Sequence, residues 1–147
     1  KMKIKKNMYS NQLSQLLEEN PGKFLNDLRN PEFQEVFAEW VKYPKSYHNW
    51  FSPALTQLIL LVGDLTPKWL NSSGLFGQNT RIAEDTGIEI FDLLLEFKPD
   101  LEDKDYYNQT FMDILNKYET TEDNKSYLMR KNNERFLLYV KDKLNSQ

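Results

Sequence analysis

The sequence contains no cysteine and only one histidine among its 147 residues. Without cysteine the chain forms no disulfide, no thiolate metal site and no cysteine nucleophile. The single histidine, His48, excludes the paired imidazoles of common metal motifs, and a Ser-His-Asp triad would have to use this residue. We therefore expect no cofactor and no metal ion. The lack of cysteine also favours a reducing, cytoplasmic compartment.

Long apolar segments are also missing. The longest aliphatic run covers residues 58–62, whereas a membrane-spanning helix needs about 20 predominantly apolar residues. The N-terminal lysines are not followed by the apolar core of a signal peptide. We therefore expect a soluble protein that does not use a membrane as its partner.

The charged residues, in contrast, are sorted along the chain. Residues 84–123 carry thirteen acidic and three basic side chains, a net charge of −10, whereas residues 1–83 carry +3 and residues 124–147 carry +4. The total of −3 conceals this segregation. Segregated charge produces a field that steers a partner of opposite sign, so the acidic block, residues 84–123, is the main functional clue.

Apolar spacing and helix-start signals predict an all-α fold. We expect an irregular bundle of five to six helices in one domain over residues 9–145, after a flexible basic N-terminus over residues 1–8. A short HEAT-like or armadillo-like stack of helix pairs is the alternative. Three dipeptides combine a good N-cap with a proline at the first helical position and so predict helix starts: Asn30-Pro31, Ser52-Pro53 and Thr66-Pro67.

The remaining helices follow from the 3-4 spacing of apolar residues. Gly87 lies on the apolar face of one of them, where glycine costs about 1 kcal/mol relative to alanine, so we expect it to permit a close helix contact. Tyr107 is expected to face inward from another. The predicted ranges are 9–19, with a short turn at 24–28, then 80–97, 103–118 and 125–144.

Residues 43–51 are predicted to form a loop, and they are rich in aromatic side chains. Tyr47, His48 and Trp50 could present a binding surface, because aromatic residues supply many interface hot spots. Burial beneath the loop is the favoured interpretation, since Trp and Phe are more often buried than displayed. His48 could act as a catalytic base, but no companion nucleophile motif accompanies it.

Within the acidic block, Glu89, Asp92 and Glu96 follow the 3-4 spacing of one helical face. Like charges so placed cost helix stability, so local structure does not explain them. A solubilising surface and a docking face for a basic protein remain open, whereas a calcium loop lacks its ligand spacing. The acids of the following turn, at 100, 102, 103 and 105, are explained in part by the dipole of the next helix.

Basic residues gather on the last predicted helix, at 125, 130, 131, 135, 141 and 143. Nucleic-acid binding is not expected, because the isoelectric point is near 5.3 and the acidic block would repel phosphates. We expect these residues to lie beside the acidic block and to offset its self-repulsion.

Our leading hypothesis is a non-enzymatic helical interaction domain whose partner is a protein with a basic surface. It would bind through Glu89, Asp92 and Glu96, through the aromatic loop, or through both. The alternative is an acidic inhibitor or immunity protein that neutralises a basic enzyme such as a nuclease. The third hypothesis is a small helical enzyme that uses His48 or the pair Glu84 and Glu89.

Overall fold

The computed structural model describes residues 6–43, 52–62, 82–120 and 124–146, with the side chains described at 12–43, 52–62, 82–116 and 134–146. These ranges contain seven α-helices, one short 3-10 helix and no strand. The predicted irregular all-α bundle is confirmed, although the number of α-helices in these ranges, seven, is larger than the expected five to six. They are α1 (Lys6–Glu19), α2 (Pro21–Arg29), α3 (Gln34–Lys42), α4 (Ala54–Val62), α5 (Glu84–Leu95), α6 (Phe111–Thr120) and α7 (Asn124–Asn145).

Helix α2 occupies a segment that the sequence analysis assigned to a short turn. Asn20 is its N-cap, because its side-chain oxygen accepts the backbone N–H of Lys23 at 3.1 Å, and Pro21 stands at the first helical position. Asn20-Pro21 therefore starts a helix in the same way as Asn30-Pro31, which opens the 3-10 helix before α3. The turn prediction was wrong because Asn20-Pro21, which follows the last residue of α1, is itself a helix-start signal.

The core lies where α4 and α5 meet the other helices. Helix α4 contacts α1, α5 and α6, and α5 contacts α2, α4 and α7. Helix α4 is buried on nearly every side. It has only nine residues, and none of the helices in the described ranges is long and apolar enough to cross a membrane.

An aromatic cluster joins the first three helices. The ring of Phe24 lies edge-on to Phe37 and to Trp40, with centroid distances of 5.2 and 5.4 Å. Trp40 is fully buried, and its indole N–H donates to the hydroxyl of Ser14 at 3.0 Å. This bond satisfies the one polar group that the tryptophan brings into the core.

Gly87 permits the close helix contact that the sequence predicts. It is buried on α5, and a Cβ built there would lie 2.6 Å from Val62 Cγ2 on α4 and 3.3 Å from Phe136 Cε1 on α7. Three helices therefore meet at a point that has room for a hydrogen only.

Two predicted boundaries differ from the structure. The helix predicted over 80–97 is shorter in the described structure. Helix α5 starts after an exposed Ala83 and ends at Leu95. The helix predicted from residue 103 starts only at Phe111, because Thr110 and Asp113 cap each other through bonds of 3.0 and 3.1 Å. Tyr107 is consequently exposed, not inward-facing. Thr66-Pro67 and residues 44–51 lie outside the described residues, and α1 already begins at Lys6.

Candidate functional site

Helix α5, which carries the predicted binding carboxylates, lies between α2 and α7. On the α2 side, Arg29 donates to the Glu89 carboxylate across 2.5 Å. Both side chains remain about half exposed, at 51% each. The pair thus neutralises Glu89 locally, and it ties α2 to α5 with the modest energy of an exposed ion pair, about 0–1 kcal/mol.

On the α7 side, two acids at the start of α5 meet the other helix. Glu84 accepts the backbone N–H of Phe136 at 2.9 Å, and Asp85 lies 2.7 Å from Arg135. The hydrogen bond to Asp85 raises the pKa of Arg135, and the negative charge of Asp85 adds to this effect. These contacts bind carboxylates of α5 to α7, as expected for a basic C-terminal helix that counterbalances the acidic block.

Asp92 lies about two helical turns after Asp85 and also contacts α7. Its Oδ2 accepts the hydroxyl hydrogen of Tyr139 at 2.6 Å, and its Oδ1 lies 3.6 Å from Lys143 Nζ. The hydrogen bond to Asp92 is the main cause that raises the pKa of Tyr139, with smaller contributions from burial and from the negative charge of Asp92. Asp92 is therefore part of the α5–α7 packing contact and is not an open carboxylate.

Glu96 differs from the other two predicted binding acids. It follows the last residue of α5, its side chain is exposed, and it forms no ion pair with any residue in the described ranges. The three acids therefore have separate environments: Glu89 faces α2, Asp92 faces α7, and Glu96 faces solvent. The 3-4 spacing does not produce one continuous carboxylate row, because helices α2 and α7 each cover one side of α5.

We call the connection between α5 and α6, residues 96–110, the acidic connection. It contains Glu96 and four further acids of the acidic block, and much of it consists of turns. Asp105 organises its second half, because one side-chain oxygen accepts the backbone N–H groups of Tyr107 and Gln109 at 2.9 and 2.8 Å. The Asp105 N–H in turn donates to the Gln109 carbonyl at 2.8 Å. The carboxylate thus caps the loop itself, which corrects the explanation based on the dipole of the next helix.

The first half of the acidic connection uses its acids in a similar way. Asp100 accepts the backbone N–H of Glu102 at 2.9 Å. Asp103 is partly buried, and this burial raises the pKa of its carboxyl group, followed by the neighbouring charge of Asp100 and a hydrogen bond with it. Glu102 is exposed. The segment therefore combines acids that shape the backbone with acids that face solvent.

Two adjacent tyrosines stand out on this connection. Tyr106 and Tyr107 are 63% and 64% exposed, and their rings meet edge to face with centroids 5.3 Å apart. This exposure was not predicted, because both residues fall within the helix expected over 103–118. The signal that could have found it is the Thr110-x-x-Asp113 capping box, which places the helix start after the tyrosines.

The remaining predicted site residues do not form a catalytic group in the part of the chain that the structure describes. Glu84 and Glu89, the candidate acid and base, bind α7 and α2 respectively and so face different helices. No group of three or more His, Asp or Glu side chains suitable for a metal ion occurs among the described residues. Tyr47, His48 and Trp50 lie outside the described ranges.

Comparison of the chain with protein-family models, with curated proteins and with solved structures found no match. The surface of the molecule is therefore the guide to its function. Its most distinctive described part is the acidic connection. There, exposed carboxylates and two exposed aromatic rings lie on one loop, which the hydrogen bonds of Asp105 hold in place. Such a combination is suited to binding, since it offers charge and apolar area together.

Proposed function

We propose that this chain is a non-enzymatic helical interaction domain that binds a protein with a basic surface through the acidic connection. One observation carries the proposal. The acids at 85, 89 and 92 have cationic partners on α2 or α7, whereas the five acids at 96–105 form no ion pair within the described structure. Against two lysines, these five leave the connection with a net charge of −3.

The difference in ion pairing between these two groups of acids determines which part of the surface presents a net negative charge to a partner. An ion pair between neighbouring helices leaves little net field beyond about one Debye length, roughly 8 Å at physiological salt. The unpaired acids of the connection produce a net negative potential that attracts basic surfaces and repels phosphates. The binding surface is therefore centred on Glu96 and Glu102. Glu89 and Asp92 lie at its edge, where ion pairs with α2 and α7 neutralise their charge.

The experiment compares two double charge reversals that change the net charge equally. The test variant is Glu96→Lys with Glu102→Lys, and the control is Glu32→Lys with Asp142→Lys, which reverses exposed acids outside the acidic block. Wild type and both variants are used to capture proteins from the source organism at low salt. We expect a basic protein that wild type and control retain and that the test variant retains at least about tenfold less.

Salt provides the second part of the test. The association rate of the captured protein should fall as ionic strength rises, because screening weakens steering between exposed charges. Capture that is equal for both variants would contradict the proposal, as would an acidic partner or an association rate that is independent of salt. Circular dichroism of each variant checks that the helical content is unchanged.

A further inference from the structure

The exposed tyrosines add a chemical preference to the charge of the acidic connection. Tyr106 and Tyr107 keep 63% and 64% of their surface in solvent, although aromatic side chains carry a large apolar area. Their edge-to-face contact, with ring planes 87° apart, presents one ring face beside the edge of the other. Aromatic faces carry negative electrostatic potential, which attracts cations.

The loop that carries the rings is held in a defined conformation. Asp105 accepts two backbone N–H groups, and the N–H of Asn108 donates to the Asp105 carbonyl at 3.0 Å. Asn108 itself has the left-handed backbone conformation, with φ of 63°. A surface that is already ordered loses less conformational entropy when it binds, so these rings are positioned to contribute to affinity.

We propose that the pair Tyr106 and Tyr107 makes the acidic connection select arginine over lysine in its basic partner segment. This inference rests on the proposed function, because it names the chemistry of the same partner. A guanidinium group is planar and weakly hydrated, so it stacks on a tyrosine ring while its N–H groups reach a carboxylate. The strongly hydrated ammonium group of lysine gains less from the ring. Exposed Glu102, four residues before Tyr106, supplies a carboxylate of the required charge.

The test measures binding of two labelled peptides to the full chain by fluorescence anisotropy at low salt. One peptide alternates glycine with arginine, and the other alternates glycine with lysine at the same length and charge. We expect the arginine peptide to bind more tightly, by up to roughly two- to fivefold for each ring that takes part. In the variant Tyr106→Ala with Tyr107→Ala, the ratio of the two dissociation constants should fall to about one.

Two further variants make the outcome specific to the rings. Tyr106→Phe with Tyr107→Phe keeps the aromatic faces and should keep the preference, which separates ring stacking from hydroxyl hydrogen bonds and from a folding defect. Leu138→Ala removes an apolar side chain of α7 that is 52% exposed, and it should leave the ratio unchanged.

Each result has a distinct meaning. Equal binding of the two peptides to wild type would overturn the arginine preference and leave the basic-partner proposal standing. A preference that survives in the double alanine variant, or that is lost in the double phenylalanine variant, would also overturn it. Binding of neither peptide would count against the basic-partner proposal itself.

Discussion

The contact at Gly87 offers a direct test of the packing among α4, α5 and α7. In Gly87→Ala, the new methyl carbon would lie 2.6 Å from Val62 Cγ2 and 3.3 Å from both Val62 Cγ1 and Phe136 Cε1. Both methyl groups of Val62 are close, and a β-branched side chain in a helix has one strongly preferred rotamer. A change of rotamer at Val62 therefore does not relieve the clash, and the backbones of α4 and α5 must separate.

Two opposing terms set the size of the effect. Alanine improves the helix propensity of α5 by about 1 kcal/mol, whereas overpacking a well-packed core costs about 1–3 kcal/mol. The contact at 2.6 Å favours the upper part of that range, so we expect Gly87→Ala to lower the free energy of unfolding by about 1–2 kcal/mol. For a chain of this size the thermal midpoint would fall by roughly 2–8 °C.

The assay is urea unfolding followed by circular dichroism, with Gly22→Ala as the matched control. A Cβ at Gly22 meets only Asn20 Oδ1, at 3.7 Å, so the helix α2 should gain up to about 1 kcal/mol without a clash. The double variant Gly87→Ala with Val62→Ala should be at least about 1 kcal/mol more stable than the sum of the two single effects predicts. A stabilising Gly87→Ala, or strict additivity in the double variant, would refute the reasoning.

Two further predictions concern polar groups of the described core and loop. Thr56 Oγ1 is buried and has no hydrogen-bond partner among the residues that the structure describes. Thr56→Val should therefore leave the free energy of unfolding unchanged or raise it by up to about 2 kcal/mol, and a loss above about 1 kcal/mol would contradict this. The raised pKa of Asp103 means that the folded chain binds this proton more tightly than the unfolded chain, so its contribution to stability falls as pH rises from about 4 towards neutrality. In urea unfolding at several pH values, the stability of wild type minus that of Asp103→Asn should decrease with increasing pH, and a constant or increasing difference would contradict the assignment.

The helices themselves could be predicted because their evidence is local. Val36, Phe37, Trp40 and Val41 show the 3-4 spacing in the sequence, and all four are buried on α3. The errors arose where two local signals competed. Asn20-Pro21 both ends α1 and starts α2, and the acids after Pro99 resemble the first turn of a helix although they cap a loop.

The pairing of the carboxylates could be predicted only in part. The opposite charges of the acidic block and the last helix indicated their association, and Arg135 and Lys143 do meet α5. The partner of Glu89, however, is Arg29, which lies 60 residues earlier in the chain, and Tyr139 reaches Asp92 across 47 residues. Such contacts depend on which helices flank α5, and no local pattern in the sequence contains that information.

The same run of acidic residues consequently has two physical roles. On α5, carboxylates such as Glu89 and Asp92 join the helix to its neighbours, so a charge reversal there removes an ion pair and places a cation beside Arg29 or Lys143. Any loss of binding in those variants would be mixed with a loss of stability. Reversal of Glu96 or Glu102 breaks no ion pair in the described structure, so the acidic connection is where binding and folding can be measured separately.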